Sequence, residues 1–133
     1  MTSYLPYALY VGGAFHLGFA AFHLLFWRAF RWRDELPKLT PLNRQVVQVM
    51  NLALVTAFVA VAYLSLGYAD AMATTPLGHA VCFAVAAFWL GRLIMQFMFF
   101  DMRRPASWAL AAACAILVAL FAAPVFIKPN GGI

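Results

Sequence analysis

Four stretches of this chain, at about 4–27, 45–69, 77–100 and 106–127, are apolar over lengths that reach or exceed the ~20 residues a helix needs to cross the hydrocarbon of a bilayer. Inside lipid, a backbone can satisfy its own N–H and C=O groups only as a helix or a closed barrel. Continuous apolar runs of this length fit the helix. The composition agrees, because a soluble domain of 133 residues needs far more charge on its surface than the 10% present here. The expected fold is therefore all-α: a transmembrane four-helix bundle in which residues 1–133 form a single domain. Short connections predict an antiparallel, up-and-down order. The first run shows neither a basic leader region nor a distinct small-residue cleavage site, so it reads as a retained helix.

Helix starts are visible in the sequence. Ser3 with Pro6, Thr40 with Pro41 and Thr75 with Pro76 each pair a capping side chain with a proline in the first turn. Pro105 opens the last span, and Pro124 is expected to weaken or end it. Gly12, His16 and Ala20, spaced by four, form a stripe of small residues on one face of the first span. Tyr7 and Tyr10 at one end of that span, and Trp27 and Trp32 at the other, match interfacial aromatic belts.

Charge sets the orientation. Of the nine Lys and Arg residues, Arg28, Arg31, Arg33, Lys38 and Arg44 lie in or beside the first loop and Arg103 and Arg104 in the third, with none in the second. The positive-inside rule places both basic loops in the cytoplasm and both termini outside. Because the positive charge is confined to these loops, it is not a nucleic-acid signature.

The polar chemistry gathers in one half of the chain's thickness. Arg92 and Gln96 are one turn apart within the third apolar run and share a face. Arg92 lies roughly 12–14 Å along the helix from Asp101. A guanidinium at that depth costs at least ~2.5 kcal/mol, so it should face protein, water or an anion, unless it bends to the nearer headgroups. At 1.5 Å per residue, His23, Gln48, Asn51 and Gln96 fall at comparable depths, about 7–10 Å from the same end or closer to it. These side chains and Arg92 are candidate ligand-binding residues. Three readings stay open. The cluster reads as interhelical hydrogen bonding, as a cytoplasm-facing pocket for a small anionic or lipid ligand that is bound or transported, or as part of a redox subunit.

The third reading rests on histidines. His16 and His23 are about 10.5 Å apart along one helix, too far to share an ion. His16 and His79 lie at different depths, which makes them weak haem candidates, and no cofactor is predicted. Cys82 and Cys114 lack metal-ligand spacing and read as buried free thiols. The four acidic residues lie in loops or at helix ends, so no membrane carboxylate is available for proton coupling or a di-iron site. With no nucleophile arrangement or phosphate loop either, the pattern argues against an enzyme.

Two blocks, Trp32, Glu35-Leu36, Leu39, Pro41-Leu42-Asn43-Arg44-Gln45 and Trp89, Arg92-Leu93, Gln96-Phe97, Phe100-Asp101, resemble those of a family of small bacterial four-span integral membrane proteins. The resemblance covers the middle two-thirds of the chain and implies a multi-pass protein of the bacterial inner (cytoplasmic) membrane. It implies no activity, substrate or cofactor. Four-span fluoride channels and multidrug exporters are similar in size. The Gly-rich, Asn-bearing pattern of the former and the membrane Glu of the latter are not seen here. The expected partners are the lipid bilayer and either further copies of the chain or a larger membrane complex, since four short helices do not enclose a wide pathway. A non-catalytic accessory subunit is the alternative function.

Overall fold

The computed structural model describes residues 4–127. Its elements are α1 (Leu5–Leu24), α2 (Phe26–Ala29), α3 (Trp32–Glu35), a 3₁₀ turn (Leu36–Lys38), α4 (Pro41–Gly67), α5 (Ala69–Thr74), α6 (Pro76–Phe99) and α7 (Pro105–Phe126). There is no strand among the described residues. Helices α1, α4, α6 and α7 are each long and apolar enough to cross a membrane, and they coincide with the four apolar runs. The chain is all-helical and reads as a multi-pass membrane protein.

The local chemistry explains the helix starts. Thr40 Oγ1 accepts from the Asn43 N–H at 3.5 Å, and Thr75 Oγ1 accepts from the Gly78 N–H at 3.0 Å. Pro41, Pro76 and Pro105 occupy first turns, where a missing N–H costs nothing. Tyr4 stands at the start of α1 without a side-chain cap, and Ser3 lies outside the described residues. Pro124 lies in the last turn of α7, which ends at Phe126. It removes one N–H in the final turn, yet that turn still closes through Ile127 N–H to the Ala123 carbonyl at 2.9 Å.

The loops hold more structure than their composition announces. After α1 ends at Leu24, short of the expected boundary, α2 and α3 are joined through Arg31 in the left-handed region at φ 51°. Arg31 bonds Asp34 at 2.9 Å, and Lys38 bonds Glu35 at 2.8 Å, both in the open. The second loop contains α5, whose Ala69, Met72 and Ala73 are buried and which touches all four long helices. It lies across one end of the bundle.

Backbones approach most closely between α1 and α4 and between α6 and α7, with a shorter α1–α7 contact. Along the first pair, Gly13 packs on Ser65 and Leu66 at one end, and Asn51 bonds the His23 carbonyl at the other. The α6 backbone runs along neither α1 nor α4 as it does along α7, so side chains bridge the centre. Large apolar residues cover the outer surface, among them Val49, Met50, Phe83, Ile94, Met98 and Phe126. In lipid such a surface has nothing to gain by burial, and close packing and hydrogen bonds must hold the helices together.

One close approach depends on glycine. A Cβ on Gly78 would collide with the Ala71 carbonyl and with the Met72 backbone, whose oxygen would lie at 2.6 Å. Backbone cannot swing aside as a side chain can. Gly78→Ala should therefore lower stability by about 1–3 kcal/mol, the usual cost of overpacking. At Gly18 an added Cβ meets nothing within 4 Å. Gly18→Ala should raise stability by about 0.5–1 kcal/mol through the helix preference for alanine. Unfolding in mixed detergent, followed by far-UV circular dichroism, measures both.

Candidate functional site

A buried polar pair lies at the centre, where all four long helices meet. His16 of α1 is 1% exposed. Its Nδ1–H donates to the Gly12 carbonyl one turn back at 2.7 Å, and its Nε2 accepts from Trp89 Nε1–H of α6 at 3.0 Å. An indole N–H can only donate, and a carbonyl can only accept. The two partners therefore fix His16 as the neutral Nδ1–H tautomer. Rings close around it: Phe58 of α4, Trp89 and Phe121 of α7 stand edge-on at centroid distances of 5.8, 5.5 and 5.3 Å. Trp89 also stacks on Phe58 at 5.7 Å and tilts against Phe19 at 4.9 Å. Gly12 makes room for Phe121, whose ring would lie 2.6 Å from a Cβ there.

This geometry bears on the haem candidates. A ligating histidine needs a free nitrogen lone pair, and the one on His16 is held by Trp89. His79 turns its Nε2 to the Ala73 carbonyl at 2.9 Å, closing the α5–α6 corner. The two histidines serve different contacts and do not face a common space. Among the described residues no group of three His, Cys, Asp or Glu side chains is placed to hold a metal. Cys82 and Cys114 are buried and unpaired with each other, and the Cys82 thiol points to the Met72 carbonyl of α5 at 3.7 Å.

Nearer the basic end, the residues expected to cluster form two pairs. Gln96 of α6 is fully buried. Its Oε1 accepts from Arg92 at 3.0 Å, and its Nε2 donates to the Ser107 carbonyl of α7 at 3.3 Å. Ser107 Oγ donates in turn to the Asp101 carbonyl at 2.8 Å, so the first turn of α7 is tied to the end of α6. The Arg92 guanidinium is half-buried and lies 5.1 Å from the centre of the Phe100 ring, a cation–π contact.

In the second pair, Asn51 of α4 donates from Nδ2 to the His23 carbonyl of α1 at 3.0 Å. Its Oδ1 is buried without a partner. The His23 ring donates from Nδ1 to the Phe19 carbonyl at 2.8 Å and stacks on Phe26 at 4.5 Å. Arg92 lies within electrostatic reach of both His23 and Cys114, which brings the two pairs into one neighbourhood. Gln48, one turn from Asn51, bonds its amide back to the Arg44 carbonyl of its own helix at 3.0 Å.

Two participants were not singled out by the sequence. Ser107 carries only the signal of being a hydroxyl just after Pro105. Trp89 carries a stronger one: it is the only tryptophan placed mid-span, where its N–H has no water or headgroup to bond and must find an acceptor in the protein.

An apolar cleft of about 620 Å³ opens between α1 and α7 beside the first pair, with Gln96 and Ser107 in its wall and Arg104 also lining it. Comparison with protein-family models, curated proteins and solved structures returns no match.

Trp89→Phe keeps the ring packing but removes the N–H, leaving His16 Nε2 buried and unpaired. The variant should lose about 1–3 kcal/mol of stability, the cost of an unsatisfied buried acceptor. His16→Leu combined with Trp89→Phe should lose less than the sum of the two single changes. A double-mutant cycle in detergent measures the difference.

Proposed function

We propose that this protein is an antiparallel, up-and-down bundle of the bacterial inner membrane, with both termini outside, and that it binds a small anionic or amphiphilic ligand in its cytoplasmic half around Arg92. The order of contacts along α1 and α4, with Gly13 against Leu66 and His23 against Asn51, supports the antiparallel arrangement. The distribution of Lys and Arg supports the orientation. Fusions of a periplasm-active reporter at residue 127 should be active, and fusions in the loop at 101–104 should be inactive.

The observation that carries the binding reading is the state of Arg92. It sits inside a membrane-length helix with a neutral amide and an aromatic face as its partners, and no carboxylate pairs with it among the described residues. A guanidinium in lipid normally meets a counter-charge or water. Here an anion or a lipid headgroup would supply it. The unpartnered Asn51 Oδ1 nearby adds an acceptor for a ligand hydroxyl or amine.

A second reading, an accessory subunit of a larger membrane complex, is favoured by the internal bonds of Gln96, Ser107 and Asn51, which already give these polar groups an interhelical role. Native mass spectrometry of wild type, Arg92→Lys and Arg92→Leu separates the two. On the binding reading, wild type carries an added mass that Arg92→Lys keeps in part and Arg92→Leu loses while remaining helical. On the accessory reading all three are empty, and Arg92→Leu differs only in stability or in the partners it retains.

A further inference from the structure

The cleft between α1 and α7 has a form that the Arg92 reading does not require. Phe15, Gly18, Phe19 and Phe22 of α1 face it at helical spacing, and Ala106, Ala109 and Ala113 of α7 do the same from the other side. Its walls are therefore aromatic rings set against a floor of small residues. The cause of the opening is visible at both ends of α7. Phe121 seats α7 on Gly12 of α1, whereas Gln96 and Ser107 bind its first turn to α6 and draw it away. The two helices part like a wedge towards the basic end. The cleft of about 620 Å³ falls within the ~300–1,000 Å³ of small-molecule sites. It lies between two helices whose surroundings would be lipid.

We infer that this cleft holds an acyl chain of an anionic phospholipid, with the phosphate of its headgroup on Arg104. The inference rests on the binding reading above and names its ligand class. Two observations favour a lipid over a protein helix. The lining is apolar except at the end of the cleft that meets the basic loop, and there the charged side chain is Arg104, which no carboxylate pairs among the described residues. Arg103 beside it and Trp108, whose Nε1–H bonds the Met102 carbonyl at 2.8 Å, add the charge and the indole typical of headgroup depth. An anionic headgroup is complementary to this mouth. A chain of methylenes is complementary to a narrow slot of rings and alanines.

Gly18 makes the test clean, because a side chain placed there enters open space and not the packed core. Wild type, Gly18→Leu, Arg104→Gln and Arg92→Leu are purified in mild detergent and analysed by native mass spectrometry, then titrated with phosphatidylglycerol and with phosphatidylcholine. Wild type should retain one phospholipid and prefer phosphatidylglycerol by roughly fivefold, the weight of one basic residue at an anionic surface. Arg104→Gln should keep a lipid but lose the preference. Gly18→Leu should lose both lipids with its thermal stability undiminished.

Retention of lipid by Gly18→Leu overturns the inference. So does equal binding of the two headgroups by wild type, and so does a dimer that only Gly18→Leu abolishes, since the cleft would then be a contact between copies. A bound species that Arg92→Leu loses and Gly18→Leu keeps leaves the Arg92 reading standing and removes the cleft from it. A wild type without any bound species removes both.

Discussion

One side-chain hydrogen bond, between Trp89 and His16, crosses between the α1–α4 pair and the α6–α7 pair. The α1–α4 pair and the α6–α7 pair each pack backbone to backbone, and α1 and α7 meet over a shorter stretch, but α6 runs closely along neither α1 nor α4. Trp89 and His16 span that gap, and each is polar in a place where lipid offers no alternative partner. Because an indole can only donate and the Gly12 carbonyl can only accept, there is a single satisfied arrangement of protons and a single register in which it forms. The surrounding rings of Phe19, Phe58 and Phe121 then have one way to fill the remaining space. Apolar packing alone would leave the helices free to slide, since leucine against lipid and leucine against leucine differ little. The buried polar pair supplies the specificity.

Much of this was legible in the chain. Span positions follow from uninterrupted apolar length, and the starts at Pro41, Pro76 and Pro105 follow from proline's fit to a first turn, aided by Thr40 and Thr75 as caps. The pairing of Arg92 with Gln96 follows from four-residue spacing. What the sequence hid was of two kinds. Elements shorter than two turns, such as α5, have no periodicity to read and are ordered by what they pack against. Partnerships between distant helices, such as His16 with Trp89, are set by the packing order of helices, which hydropathy does not encode. Gln48 illustrates the second failure in reverse. It stands one turn from Asn51 on a similar face of α4, but its amide folds back onto the Arg44 carbonyl of its own helix, so a shared face does not guarantee a shared partner.

The two ends of the bundle are chemically different. Tyr4, Tyr7, Tyr10, Tyr63 and Tyr68 gather at the end that carries α5, where Tyr63 and Tyr68 share a hydroxyl contact at 3.3 Å. Trp27, Trp32 and Trp108 stand at the end that carries the arginines. Both residues suit a boundary between oil and water, but the cationic end also holds the exposed ion pairs, the cleft and the polar pairs. The buried polar pairs, the cleft and the basic charge coincide at one end.

The position of α5 has a consequence for traffic through the bundle. It crosses the tyrosine end in contact with every long helix, and Gly78 lets the start of α6 press against its backbone, while the Cys82 thiol points to its Met72 carbonyl. Below it, the rings of Phe58, Trp89 and Phe121 close around His16. The described structure is thus closed by α5 at the tyrosine end, while its cleft opens sideways between α1 and α7 near the basic end. Any passage along the bundle axis would have to displace α5 and part the rings around His16 in turn.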